Sequence, residues 1–144
     1  MPAGYVIFKD RRLVFSWGWD RLTFGDFRSQ QDAFIQDPDF DPSYDQLVDV
    51  SKATSLELSI EEAKTIARRR IFRPTSRRAV IATNPDVFGM GRMMDVHHSM
   101  STGRDQVQVF YDRESALKWL GLDNLPVEFD QLPPAHNQKT SSSA

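Results

Sequence analysis

The residues best suited to contact a ligand are hydroxyl and amide side chains that follow two predicted strands. Ser51, Thr54 and Ser59 come after one strand, and Asn84 comes after the next. Open parallel sheets bind ligands beyond the carboxyl ends of their strands, so we expect these side chains to converge. Both segments lead into predicted helices, whose unpaired first N–H groups favour an anion or a polar headgroup. The alternative is that Ser59 and Asn84 only cap these helices.

The helix predicted after Asn84 supplies an apolar partner for these polar groups. It carries Phe88, Met90 and Arg92 in a methionine-rich stretch that forms either plain core or an adaptable pocket wall. The predicted binding face therefore comprises Ser51–Ser59 and Asn84–Arg92. It indicates a non-enzymatic regulatory or binding module that takes a protein partner or a small amphiphilic ligand.

Six arginines within the eleven residues of Arg68–Arg78 form a possible anion patch. Arg69, Arg70 and Arg73 are its predicted contacts with phosphate, so weak binding of nucleic acid or anionic lipid is an alternative function. The segment 29–51 holds six aspartates and no Lys or Arg, so pairing within the chain or plain solvation competes with that interpretation. Because 18 Lys and Arg stand against 20 Asp and Glu, we expect no specific nucleic-acid partner.

Residue types exclude several chemistries. The chain has no cysteine, so it forms no disulfide, thiolate nucleophile or zinc ribbon. The alternating aspartates of 37–41 resemble a calcium loop, but Pro42 and Val48 stand where that loop needs glycine and glutamate. His97 and His98 are adjacent on a predicted helix and point apart. We therefore predict no catalytic residue, no metal and no cofactor.

Aromatic side chains alternate along the second predicted strand. Phe15, Trp17 and Trp19 share one face of that strand. Exposed aromatic patches usually mark contacts between molecules. We therefore expect a homodimer that forms through these three residues.

An α/β fold must position all these residues. Hydrophobic periodicity predicts the order β-β-α-β-α-β-α-β-α, which implies a mixed, mostly parallel sheet with an N-terminal antiparallel hairpin and flanking helices. The predicted strands are Tyr5–Phe8, Leu13–Trp19, Asp45–Val50, Arg78–Ala82 and Gln106–Tyr111. The predicted helices are Phe24–Gln36, one after Ser59 that ends by Pro74, one from Asn84-Pro85 to about Met100, and Arg113–Leu120.

The chain of 144 residues predicts a single domain over 1–121. An extended segment follows at 122–132, and the polar residues 133–144 are expected to be disordered. We find no signal peptide or transmembrane segment in the sequence, so we expect a cytoplasmic protein.

Short motifs in a fixed order resemble a known family. They are Phe40–Ser51, Leu58-Ser59, Arg78–Ala82, Val87–Met93, and Val109-Phe110 with Ala116–Leu120. From about Tyr5 to Leu120 the chain resembles the SpoIIAA-like branch of the STAS fold, a group of small, mostly uncharacterised bacterial proteins. The resemblance implies a mixed sheet with flanking helices, no catalysis, and binding of partner proteins or apolar ligands.

The same resemblance implies an alternative function at Ser59. In classical anti-sigma-factor antagonists of this fold, an Asp-Ser-Ser-Gly segment at a helix start carries a phosphorylatable serine. The similar segment here is Glu57-Leu58-Ser59-Ile60, in which Ser59 keeps the position while the first serine and the glycine are replaced. A phospho-regulated switch through Ser59 is therefore the alternative.

Overall fold

The structure is a computed structural model that describes residues 3–69, 71–85, 89, 106–122 and 139–141. Its strands are β1 (Ala3–Phe8), β2 (Leu13–Thr23), β3 (Asp45–Glu57), β4 (Arg77–Ile81), β5 (Gln106–Phe110) and β6 (Lys139–Ser141). Its helices are α1 (Phe24–Ile35), α2 (Ile60–Arg68) and α3 (Arg113–Leu120). Among these residues, no helix has the length and apolar character needed to cross a membrane.

The strands form one sheet in the order β5-β4-β3-β2-β1-β6. The pair β1 and β2 is antiparallel, and every other neighbouring pair is parallel. A short 3-10 turn joins the antiparallel pair and ends at Arg12, whose φ of 52° lies in the left-handed region. The predicted α/β class, with a mostly parallel sheet, an N-terminal hairpin and flanking helices, is confirmed.

Each face of the sheet carries its own layer of core. Alternation along β2 points Leu13 and Phe15 toward α3, where Leu117 packs against them in one apolar cluster. On the opposite face Val14 joins the cluster around Phe34 of α1. The sheet therefore separates α3 from α1, and α2 lies beside α1.

The third strand is longer than its sequence indicates. The prediction ended it at Val50 and placed Ser51, Thr54 and Ser55 in a hydroxyl-rich loop, but β3 continues through these residues to Glu57. The reason is that β2 also continues, so that Trp19 to Thr23 pair with Lys52 to Glu57, with one register shift just before Trp19 and another after Asp20. The loop prediction is therefore wrong, because pairing with a long neighbour overrides the weak strand preference of serine.

The aromatic residues of β2 lie in the core rather than on the surface. Phe15 is 0% exposed and Trp17 is 7% exposed, while Trp19 is partly buried against the same cluster. The expectation of an exposed dimer patch is wrong for Phe15 and Trp17, because α3 and the sheet cover that face. The homodimer itself stays a prediction.

Parts of the predicted C-terminal half lie outside the described residues. The helix predicted from Asn84-Pro85 has helical backbone at Pro85 and Gly89, and residues 86–88 and 90–105 are not described. Within 133–144, for which the sequence predicts disorder, Lys139–Ser141 pair in parallel with β1. The division of the chain at 121 and 132 stays a prediction.

Candidate ligand pocket

The polar residues predicted to converge beyond the sheet are partly brought together. Thr83 Oγ1 donates to the Ser51 carbonyl at 3.1 Å, and Asn84 Nδ2 donates to the Thr54 carbonyl at 3.3 Å. Ser51 Oγ in turn donates to Asp49 Oδ1 at 2.6 Å. These contacts tie the end of β4 to the extension of β3.

Ser59 lies apart from this junction as the N-cap of α2. Its Oγ accepts from the Glu62 N–H at 3.1 Å, while the Glu62 carboxylate accepts from the Ser59 N–H at 2.9 Å. This reciprocal pair is a capping box, so Ser59 does cap its helix, as the alternative interpretation of the sequence expects. Phe88, Met90 and Arg92, the other predicted contacts, lie outside the described residues.

A pocket that the sequence did not predict lies on the α1 face of the sheet. Its volume is about 80 Å³, which is room for about six water-sized groups. Strands β3, β4 and β5 form its floor, and α1 and α2 form its walls. Its described lining is Phe27, Gln30, Gln31, Gln46, Val48, Val50, Leu56, Ile66, Arg78, Val80 and Val107.

The floor of the pocket is apolar because strand register places β-branched side chains side by side. Val48 of β3 is paired with Val80 of β4, and Val107 of β5 is paired with Arg78, which stands two residues before Val80 on the same face of β4. Val48, Val80 and Val107 are each partly exposed. These valines therefore offer apolar surface to a ligand.

Two glutamines of α1, Gln30 and Gln31, lie over this floor. They belong to the buried side of α1, which also includes Phe34. Gln30 is 6% exposed, and its Nε2 donates to the carbonyls of Gly4 at 2.7 Å and Trp17 at 3.2 Å. Gln31 Oε1 accepts from Arg69 Nη1 at 2.9 Å. Both amides are thus fixed in place at the wall of the pocket.

A polar chain crosses the floor between the valines. Gln46, 3% exposed, donates from Nε2 to Ser16 Oγ at 3.1 Å and accepts at Oε1 from Arg78 Nε at 3.2 Å. The Arg78 guanidinium carbon also lies 4.9 Å from the centre of the Phe72 ring. A cation on an aromatic face is attracted to it, so these contacts hold the guanidinium in one position.

The lining was missed because its polar members occupy core positions. Gln30 and Gln31 follow Phe27 at helical spacing, and Gln46 and Arg78 precede valines at strand spacing. By the helical and strand periodicity of the sequence, these positions belong to the buried faces of α1, β3 and β4. A polar residue at an apolar position is the signal that could have found the pocket.

The arginine cluster is divided among different partners. Arg69 Nη2 donates to Asp32 Oδ1 at 2.7 Å, which joins α2 to α1. Arg77 Nη1 donates to the Trp119 carbonyl at 2.7 Å on the α3 side of the sheet, opposite Arg78. Arg73 is exposed, and Arg70 lies outside the described residues. Anion binding by Arg69, Arg70 and Arg73 stays a prediction.

The aspartate-rich segment is largely engaged within the chain. Asp37 accepts from the Tyr5 hydroxyl at 2.9 Å, and burial together with this carboxylate raises the pKa of Tyr5 above its usual range. Asp45 Oδ1 accepts from the Arg77 N–H at 2.9 Å. Together with the Asp32 ion pair, these contacts favour intramolecular pairing over a solvated acidic face. Within the part of the chain that the structure describes, no three acidic or histidine side chains cluster closely enough to hold a metal ion.

Comparison with known proteins finds a structural similarity at low sequence identity. No family model matches the sequence, and no curated protein matches it either. The structure is similar to the crystal structure of an uncharacterized protein of the DUF3478 family, with a SpoIIAA-like fold, from Shewanella loihica PV-4. The two chains share 18% identity at a TM-score of 0.48, over 75% of this chain and 83% of the other.

Proposed function

We propose that the protein is a non-enzymatic binding module and that the pocket between α1, α2 and β3–β5 takes a small amphiphilic molecule. The observation that carries this proposal is the composition of the described lining, in which three amides and one guanidinium interrupt an otherwise apolar surface. Ligand sites typically combine apolar walls with a few fixed polar groups that orient the ligand.

The polar groups are held before any ligand arrives. Gln30 is anchored on backbone carbonyls, and Gln46 is anchored between Ser16 and Arg78. Fixed side chains lose little conformational entropy on binding, so weak contacts with a small molecule still yield affinity. The described lining offers hydrogen-bonding and apolar groups rather than a nucleophile beside a base, which supports binding rather than catalysis.

The size of the pocket limits the ligand. A volume of about 80 Å³ is small beside the roughly 300–1,000 Å³ of sites for drug-sized molecules. A short alkyl chain with one polar head fits, with the chain on Val48, Val80 and Val107. A protein partner would have to insert a single side chain, and we treat that as the competing outcome.

The experiment is native mass spectrometry of the protein purified from its source, compared with a variant whose pocket is filled. Val80→Phe places a ring over the floor, and Ile35→Phe adds the same ring at an exposed position of α1 outside the lining. We expect a small molecule to accompany the wild type and Ile35→Phe, and to be absent from Val80→Phe. A bound species retained in full by a folded Val80→Phe, or a protein captured in its place, would overturn the proposal.

A further inference from the structure

We infer that the pocket selects amphiphiles whose head both donates and accepts a hydrogen bond, as a primary carboxamide does, and that Gln30 and Gln31 bind this head. The inference rests on the proposed function, because it names the ligand class of the same pocket. It follows from one acceptor and one donor that these two side chains leave unused within the described part of the chain.

The amide of Gln30 has a fixed orientation. Only its Nε2 can donate, and this atom faces the carbonyls of Gly4 at 2.7 Å and Trp17 at 3.2 Å. Its Oε1 therefore lies on the other arm of the amide, where no hydrogen bond from a described residue reaches it. This oxygen can accept a hydrogen bond from a ligand N–H or O–H.

The amide of Gln31 is oriented by a partner of the opposite kind. Its Oε1 accepts from Arg69 Nη1 at 2.9 Å, which an amide nitrogen in that place could not do. Its Nε2 therefore lies on the other arm, and it donates to no residue in the described ranges. This nitrogen can donate a hydrogen bond to a ligand carbonyl or hydroxyl.

Both unused atoms have access to the pocket. Gln30 is 6% exposed and Gln31 is 5% exposed, and both line it. Among the side chains that the structure describes, Trp17 Nε1 is the one polar atom that is fully enclosed without a partner, so Gln30 Oε1 and Gln31 Nε2 both retain accessible surface. Because these side chains are so deeply buried, that surface opens onto the space that they line.

A head that only accepts hydrogen bonds fits this pair poorly. It would enclose Gln30 Oε1 with no donor to face it, and a site that leaves a buried polar group unpaired discriminates against such a ligand. Without this recognition the order of affinities would be reversed, because moving an amide out of water costs more than moving a ketone of the same shape. A preference for the amide is therefore a signature of the Gln30 acceptor.

The experiment compares butanamide with methyl propyl ketone by NMR titration at neutral pH. The two molecules have the same shape and differ only in the amide NH₂, which the ketone replaces with a methyl group. Gln30→Met removes the acceptor and Gln31→Met removes the donor. Gln36→Met is the matched control, because Gln36 is an exposed glutamine at the end of α1 and outside the described lining.

We expect the wild type and Gln36→Met to prefer butanamide by about fivefold, the value of one neutral hydrogen bond of about 1 kcal/mol. Gln30→Met should prefer the ketone, and its retained binding of the ketone shows that the pocket is folded. Gln31→Met should bind both probes about fivefold more weakly and keep the preference for butanamide, because both probes lose the donor to their carbonyl.

Equal affinities or a preference for the ketone in the wild type would overturn this inference while leaving the proposed function intact. A preference for butanamide that survives in a folded Gln30→Met, or unchanged affinities in Gln31→Met, would overturn it in the same way. The wild-type comparison and Gln31→Met decide the matter even if Gln30→Met does not fold, since Gln30 also binds the Gly4 and Trp17 carbonyls. Binding of neither probe to the wild type would overturn both the inference and the proposed function.

Discussion

At the residue scale, the N-terminal hairpin depends on a close approach between a glycine and a tryptophan. Gly4 of β1 is paired with Trp17 of β2, and a Cβ added at Gly4 would lie 2.7 Å from the Trp17 ring. The missing side chain lets the Trp17 indole approach the backbone of β1 closely. The same Gly4 carbonyl accepts from Gln30, so this contact also bears on the position of α1.

We expect Gly4→Ala to lower the free energy of unfolding by about 1–3 kcal/mol, because the buried ring cannot move without disturbing its neighbours. Gly25→Ala is the control: its added Cβ lies 3.7 Å from the nearest atom, Thr23 Oγ1, so the substitution should be neutral or stabilising by up to about 1 kcal/mol. Urea unfolding of both variants measures the difference. Equal stability of the two variants would contradict the close approach.

Two aspartates have pKa values shifted in opposite directions, and they give opposite pH dependences. Burial raises the pKa of Asp45, although its contact with the Arg77 N–H and the charges of Arg77 and Arg12 oppose this. Hydrogen bonds from the Ser115 N–H and hydroxyl lower the pKa of Asp112. Ionised Asp45 therefore disfavours the folded state, and ionised Asp112 favours it.

Between neutral pH and about pH 3, we expect the stabilities of the two variants relative to the wild type to change in opposite directions. Asp45→Asn keeps the acceptor for Arg77 and should be at least as stable as the wild type at neutral pH, with this advantage lost on acidification. Asp112→Asn should be less stable at neutral pH, with the deficit closing as pH falls through the lowered pKa of the folded state. Chemical unfolding across this range measures both, and parallel curves for the two variants would contradict the assignments.

At the scale of elements, helix starts are the features most readily predicted from sequence. Thr23 with Asp26 and Ser59 with Glu62 both form the reciprocal capping boxes that their spacing indicates. Local hydrogen bonds decide these boundaries, so a short stretch of sequence contains the information. The end of β3 depended instead on a distant neighbour, β2, and was missed.

Ser59→Ala should cost about 1 kcal/mol of stability, because the Glu62 N–H loses its acceptor. Ser59→Asp should restore most of it, since aspartate is also a good cap. Urea unfolding of the two variants measures this. A Ser59→Ala variant as stable as the wild type would contradict the capping role of Ser59.

A phosphate on Ser59 would meet a different environment. It would replace the cap beside two acidic side chains, Glu61 and Glu62, although the helix N-terminus itself favours negative charge. The phospho-regulated switch through Ser59 stays a prediction. Phosphoproteomics of the source cells that never found Ser59 modified would count against it.

At the scale of the whole molecule, the order of β1 to β5 with α1, α2 and α3 was predictable, and the pocket was not. Alternating strands and helices predict a mostly parallel sheet, because such connections follow a right-handed rule, and the helical and strand periods are visible in the sequence. The pocket instead joins Gln30 of α1, Ile66 of α2 and valines of three strands. Packing fixes such a lining, and no local pattern contains it.

Binding of a small amphiphile in this pocket is tested most directly by a titration of valine methyl signals with hexanol. Val48, Val80 and Val107 line the pocket, while Val6 and Val14 are buried elsewhere in the core and serve as internal controls. We predict saturable shifts at these three of the four described lining valines and none at the controls. No shift at the lining valines, or equal shifts at all five, would contradict the claim.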